Sequence, residues 1–501
     1  MDQLSGILLG FGAVLTGPNL LYCFLGVFLG TAIGVLPGLG PAATIAVLLP
    51  MTFGLEPISA LIMLAGIFYG AQYGGSTTSI LVNLPGESSS VVTAIDGHQM
   101  ARQGRAGKAL ATAAVASFVA GTVSTFFLAL FAPPLATLAL SFGPAEYFSL
   151  MILGLVASVV LASGSLFHAI GAILLGLLLG LVGADVNSGA ARYTFGFLGL
   201  MDGIAFVIVA MGMFGVGEII GNLEHEMQRD VQIKRVSGLM LTRADLQRIA
   251  APVLRGTLLG SALGILPGGG AMLASFGAYA LEKKVSPSAA EFGKGAIEGV
   301  AAPEAANNAG AQTSFIPMLT LGIPSNPVMA MMIGALMIQG IQPGPLVMTQ
   351  QPHLFWGIIA SMWIGNFFLL VLNLPLIGLW VRMISVPYHF LYPAILVFCV
   401  IGVFSLNNST FDLWLLIAFG LFGYVCRKLS IEPAPMMLAF ILGPMMEEYL
   451  RRALLISRGD PAVFVQHPAS AVLLLLSLLL LILVLTPSLR GKRRIAFQEG
   501  D

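Results

Sequence analysis

Two stretches of the chain gather hydroxyl and amide side chains around glycine and proline. GGSTTSILVNLPGESSS runs from Gly74 to Ser90, and QTSFIPMLTLGIPSNP from Gln312 to Pro327. Ser76, Thr77, Thr78, Asn83, Thr313, Ser314, Ser325 and Asn326 supply neutral oxygens and amides. Such groups replace the water shell of an alkali cation, or hydrogen-bond an anion, without carrying net charge. Serine and threonine also bond their own backbone, and about half of these residues are expected to do only that. Glu87 follows the first stretch; Glu298, Glu304, Asn307 and Asn308 precede the second in EGVAAPEAANNAGAQ. A glutamate buried in a membrane is a functional candidate by default, whereas at the water interface it caps a proline-started helix. Asp96, Gly97, His98 and Arg102 read as a loop after the first stretch.

Enzyme chemistry finds no footing. His225-Glu226-Met227-Gln228-Arg229 begins like H-E-x-x-H but has arginine where the second zinc ligand must stand. Neither a G-x-S-x-G elbow nor a P-loop G-K-[ST] occurs. The chain is therefore read as no enzyme, with no cofactor, and an ion gradient as its energy source. Gly38–Ala43, GLGPAA, fits a dinucleotide fingerprint, but that motif needs a βαβ setting. Its flanks here are apolar helix. Cys23, Cys399 and Cys426 lie in apolar segments and read as packing residues.

The elements that must position these groups lie in lipid. Of 501 residues, 57% are hydrophobic and 9% charged, with mean hydropathy +0.93. A soluble domain carries about 25% charged residues. The pattern predicts an all-α polytopic membrane protein of nine or twelve spans, and no β-barrel alternation is present. With 23 basic and 23 acidic residues, nothing points to nucleic acid. Basic clusters at Arg102–Lys108, Arg229–Arg255 and Arg490–Arg494 mark the cytoplasmic side. Arg451, Arg452 and Arg458 are either external or follow a reversal within residues 433–450. The polar run 223–250 reads as a linker between membrane halves 1–222 and 251–465. Residues 466–501 read as a last helix and basic tail.

The halves repeat. GTAIGVLPGLG (Gly30–Gly40) aligns with GSALGILPGGG (Gly260–Gly270), and the stretch from Gly70 aligns with that from Gly310. Paired Gly/Pro interruptions in corresponding positions point to the binding site of a secondary transporter. The expected architecture is two repeated halves, expected to be inverted, with broken helices and re-entrant hairpins. The first motif predicts a helix, a break at Pro37-Gly38-Leu39-Gly40, and a new helix opened by Pro41. The second predicts short re-entrant arms with tips at Pro85-Gly86 and Pro324-Ser325-Asn326. No Lys or Arg lies in residues 1–100 or 295–381. Basic residues are costly in lipid in any case, and an anion there can be held by half-helix N-termini, each roughly half a positive charge, helped by bound Na⁺. A carboxylate-selective channel uses broken helices too.

GVLPGLGPAATIAVLLP, GGSTTSILVNLPGESSSVVTAIDGHQMARQGRAGKAL and EGVAAPEAANNAGAQTSFIPMLTLGIPSNP resemble the large membrane subunit of tripartite tricarboxylate transporters, the TctA family. The likeness extends to PAPMMLAFILGPMMEEYLRRALLISRGD near the end. It implies a multi-pass protein of the bacterial inner membrane, with a small TctB-like membrane subunit and a periplasmic TctC-like solute-binding protein. It implies citrate or other carboxylates as substrate, Na⁺ or H⁺ coupling and an elevator-like mechanism. The motif residues carried over are Pro37, Gly38 and Gly40; Asn83, Pro85 and Gly86; Pro267, Gly268 and Gly270; Asn307, Asn308, Pro324 and Ser325. Where members often have A-A-G-G after the paired asparagines, this chain reads AGAQTS, with polar Gln312 and Thr313.

Overall fold

A computed structural model describes every residue except 1–2, 37–38, 85, 162–164, 186–187, 225–235, 237, 267–269, 385–387 and 486–501. α1 (Gln3–Val14), α2 (Gly17–Gly34), α3 (Pro41–Leu48) and α4 (Pro57–Val82) open the chain. α5 (Val91–Met100) passes through a π-helical turn with left-handed Gly104 into α6 (Ala106–Ala139). α7 (Pro144–Leu161), α8 (Leu166–Gly180), an antiparallel pair β1 (Gly183–Ala184) and β2 (Ala191–Arg192), α9 (Phe206–Ala210) and α10 (Gly217–Glu224) follow. The second half starts with α11 (Arg243–Gly264), α12 (Gly270–Val285), α13 (Glu298–Thr313), α14 (Phe315–Leu321) and α15 (Pro327–Ile338). It continues through α16 (Leu346–Gln350), α17 (Pro352–Asn373), α18 (Ile377–Ile384), α19 (Tyr388–Asn407) and α20 (Thr410–Lys428). α21 (Pro433–Ile456), α22 (Val463–Gln466) and α23 (Pro468–Leu485) close it. Among the described residues, six helices are long and apolar enough to cross a membrane.

Local sequence sets the helix starts. Proline stands in the first turn of α2, α3, α4, α15, α17 and α21, where its missing N–H is not needed. Thr242 and Asp245 form a reciprocal capping box at α11. Burial alone would raise the Asp245 carboxyl, but hydrogen bonds from Thr242 and Lys108 outweigh it and hold its pKa at about 2.

Glycine lets the central helices touch. Methyl groups on Gly26, Gly30 and Gly34 of α2 would fall 2.2, 2.3 and 2.5 Å from the backbone of Met63, Ile67 and Ala71 in α4. Methyl groups on Gly256, Gly260 and Gly264 of α11 would fall 2.4, 2.3 and 2.5 Å from the carbonyl oxygens of Ala302, Ala306 and Gly310 in α13. Small residues four apart are how membrane helices approach without a hydrophobic drive between them. α2 with α4, and α11 with α13, are thus matching parallel pairs. This packing sets Ala71, rather than Gly70, in the place of Gly310. Both long helices end on a left-handed residue, Asn83 (φ 56°) after α4 and Gly322 (φ 71°) after α14.

At the first motif the chain reverses. Asn19 in α2 accepts from Ser59 in α4 (2.6 Å), so α3 and the segment after it return to the end from which α2 entered. α11 and α12 turn back likewise: Arg255 pairs with Glu282 near the open end, and Gly270 packs on Gly264 at the tip. α2 with α3, and α11 with α12, are therefore helical hairpins, the first helix of each ending at Gly34 and Gly264 in the motifs GVLPGLG and GILPGGG. The second motif differs from its expected short arms. Gly74–Val82 is the end of α4, a helix of 26 residues. Its hydroxyls do not break the helix because Ser76, Thr77, Thr78 and Ser79 each donate to the carbonyl four residues back. α13 and α14 form the counterpart, with Ser314 between them still in helical conformation.

α6 gives the direction of both hairpins. Lys108 bonds Asp245 and Ser124 bonds Ser261, so α11 runs parallel to α6. Asn366 bonds Phe118 and Trp363 bonds Thr122, so α17 runs antiparallel to it. Gly365 of α17 packs on Cys23 and Val27 while Cys23 reaches the Ser361 carbonyl, so α2 follows α17. The two hairpins enter from opposite ends of α6. At one end, Arg105 donates to the Gly295 carbonyl (3.0 Å), and Arg248 to Glu298 (2.5 Å) and Glu291 (2.6 Å), which brings the first two basic clusters together. α21 is continuous over residues 433–450, so no reversal forms there. Arg451, in its last turns, pairs with Asp185 and Glu447.

Candidate functional site

The first tip is held by the second motif of its own half. Thr78 Oγ1 bonds the Val35 carbonyl (2.9 Å), one of the carbonyls freed where α2 stops. A methyl on Gly86 would lie 2.5 Å from Gly75 Cα, so only glycine seats this loop against α4. Gly40, at the N-cap of α3, faces the Gly86 carbonyl. In the second half Gly270 rests on Gly264, and Thr313 and Ser314 donate to the Ala309 (3.0 Å) and Ala311 (2.6 Å) carbonyls. Buried Pro324 lies in the break before α15. Ser325 donates to the Ser314 carbonyl (3.2 Å), and Asn326 caps α15 by accepting from Met329 N (2.9 Å). Pro37, Gly38, Pro85, Pro267 and Gly268 lie outside the described residues.

A polar seam joins the halves. Asn307 Nδ2 donates to Glu87 Oε1 (2.9 Å), and the Gln72 amide, its nitrogen turned toward the carboxylate, donates to Glu87 as well. Glu304 accepts from Thr93 Oγ1 (2.6 Å) and Ser117 Oγ (3.3 Å). Asn308 Nδ2 donates to Ser117 Oγ (2.6 Å) and to the Glu304 carbonyl (3.1 Å). Each of these partners is neutral. The buried oxygens Asn307 Oδ1 and Gln312 Oε1 have no protein partner. A buried acceptor without a partner is costly, so these two mark where a ligand or ion would be welcome.

The seam unites Asn307 and Asn308 with the carboxylates of Glu87 and Glu304, while Thr313, Ser314, Ser325 and Asn326 serve their own half. Glu298 belongs elsewhere, in the ion-pair group with Arg248 at the start of α13. His98 contacts the Ile80 carbonyl (3.2 Å), a packing role. Asp96 does not sit in a loop but in α5, fully buried. Sequence reasoning passed over Gln72, Thr93, Ser117 and Tyr279 because they stand within helices, away from any break. The glycine ladders were readable as G-x-x-x-G-x-x-x-G at Gly26–Gly34 and Gly256–Gly264. Among the described residues, no group of three His, Cys, Asp or Glu could hold a metal ion.

A family model described as the tripartite tricarboxylate transporter TctA family matches residues 20–438. An uncharacterized 52.8 kDa protein in the TAR-I ttuC' 3' region of Agrobacterium vitis is 59% identical over 501 residues, covering 100% of both chains. An uncharacterized protein in the TAR-II ttuC' 3' region of the same organism is 61% identical over 242 residues, 48% of this chain and 100% of that one. No solved structure matches. The family match spans both hairpins and the seam, and the chain belongs to the TctA family, as a multi-pass membrane component of tripartite tricarboxylate transporters.

Proposed function

We propose that the chain is the large transmembrane subunit of a binding-protein-dependent secondary transporter. It imports tricarboxylates or related carboxylates on a Na⁺ gradient, with H⁺ as the other candidate ion. The reading rests chiefly on one observation: two re-entrant hairpins of like construction enter from opposite ends of α6. The glycine ladders of α2 and α11, and the left-handed residues that end α4 and α14, support an inverted repeat. An elevator-like movement of this paired unit then exposes the seam to each side in turn. The seam and tips carry no basic side chain, so α3, α12 and α15 would meet the carboxylate with their N-termini, each roughly half a positive charge. The family supports a small TctB-like subunit and a periplasmic TctC-like protein that delivers substrate, in the bacterial inner membrane. The test is reconstitution of the chain with its small subunit and loaded binding protein in vesicles. Uptake of a di- or tricarboxylate should follow an imposed Na⁺ or H⁺ gradient and stop when the binding protein is omitted. Flux that needs neither gradient nor binding protein would mean a passive pore.

A further inference from the structure

Beside the seam lies a cavity of about 20 Å³, lined among others by Tyr73, Ser76, Thr77, Glu304 and Asn373. One water or one small ion needs roughly 10–15 Å³. The polar lining already donates its protons elsewhere. Tyr73 donates to the Ala114 carbonyl (3.4 Å) and Thr77 to the Tyr73 carbonyl (3.2 Å). Ser76 donates to the Gln72 carbonyl (3.3 Å) or to Glu304, each an acceptor. Asn373 Nδ2 donates to the Leu369 carbonyl (2.9 Å), which leaves Oδ1 buried and without a partner. Asn373 is 5% exposed and Glu304 1%. The other lining residues, Leu110, Ala113, Ala114, Leu374 and Ile377, are apolar, so the polar groups left to the cavity are oxygen acceptors. No residue that lines it, or that bonds the Glu304 carboxylate, is basic. A carboxylate buried without a cation is strongly disfavoured. α17 also ends at this point with Asn373, and a helix C-terminus carries partial negative charge.

We propose that this cavity binds Na⁺, with Glu304, Ser76, Thr77 and Asn373 as oxygen ligands. Carboxylate, hydroxyl and amide oxygens suit a hard cation, and the three neutral ligands hold it without adding charge. The inference rests on the ion-coupled reading above and places the cation on α4, α13 and α17 instead of at the helix breaks.

The test uses the purified full-length chain in detergent, titrated with NaCl against choline chloride at constant ionic strength. Thermal unfolding should show a saturable rise of Tm with Na⁺. Asn373→Leu and Glu304→Gln should each need at least tenfold more Na⁺ for the same rise. Asn373→Leu removes an unpaired buried oxygen, so its Tm in choline should be no lower than that of the parent chain; this separates ligand loss from misfolding. A parent chain indifferent to Na⁺, or both variants with parental Na⁺ dependence, overturns the site. So does a Tm that responds to pH but not to Na⁺, which would mean that Glu304 takes a proton or the cavity a water. Na⁺-driven uptake that survives both substitutions removes this site and leaves the transporter standing. Na⁺ binding with no uptake under any gradient does the reverse.

Discussion

Asp96 ties three helices through one carboxylate. Its Oδ1 accepts from the backbone N–H groups of Gly295 and Ala296 (both 2.8 Å), just before α13, and its Oδ2 accepts from the Tyr279 hydroxyl of α12 (2.9 Å). A methyl on Gly299 would fall 2.2 Å from Oδ2, so α13 is pressed against it. An ionised acceptor on backbone N–H groups makes the stronger kind of hydrogen bond. Asp96→Ala should lower stability by about 1–3 kcal/mol for each donor left unpaired. Asp96→Asn should lose less, because an amide oxygen still accepts, and Tyr279→Phe should lose about 1 kcal/mol. Thermal unfolding in detergent ranks the three; Asp96→Ala at parental stability would refute the clamp. Nothing in the string AIDGHQM announces this role, since the donors that fix it come from about 200 residues further on. Glu304 was legible by contrast, because a glutamate in apolar sequence stands out before its partners are known.

At the scale of the element, the two glycine ladders decide how closely helices pack. A methyl on Gly30 would lie 2.3 Å from the Ile67 oxygen, and one on Gly260 2.3 Å from the Ala306 oxygen. Backbone cannot step aside as a side chain can, so Gly30→Ala and Gly260→Ala should each cost at least about 1–3 kcal/mol. Gly12 and Gly171 lie in α1 and α8 with no heavy atom near their Cβ positions. There the same substitution should be neutral or stabilising by up to about 0.5–1 kcal/mol. Retention of folded, monodisperse protein on heating reads the contrast, and equal losses at all four positions would remove the ladders from the account. The sequence carried these elements unevenly. Proline and glycine marked the breaks after α2, α11 and α14, because no neighbour can supply their backbone preferences, whereas the junction of α19 and α20 at Asn408-Ser409 carries neither. The direction taken after a break was not marked. Asn83 and Gly322 share left-handed geometry although one is asparagine, and the polar run from Gly74 stayed helical because each hydroxyl found its own i−4 carbonyl.

For the whole molecule, the basic open end of α11 and α12 and the length of α21 make a prediction about sidedness. The open end of α11 and α12 carries Arg248, Arg255, Lys283 and Lys284, and it meets the Arg105 turn. Arg458 follows α21, beyond Arg451 and its partners Asp185 and Glu447. Lys428 and Glu224, the last residue of α10, pair just before α21 begins. α21 is less apolar than the six candidate spans and carries Glu447, Glu448, Arg451 and Arg452 toward its end, but its 24 residues extend about 36 Å at 1.5 Å per residue, longer than a hydrocarbon core of about 30 Å. Lys284 and Arg458 should therefore lie on opposite sides of the membrane, with Lys284 on the basic, cytoplasmic side. The described cysteines Cys23, Cys399 and Cys426 are all buried, which leaves a low background for thiol labelling. Arg458→Cys should react with a membrane-impermeant maleimide applied outside intact cells, and Lys284→Cys only after the membrane is opened. Labelling of both from outside would put Lys284 and Arg458 on one side of the membrane and overturn both this sidedness and the crossing of α21.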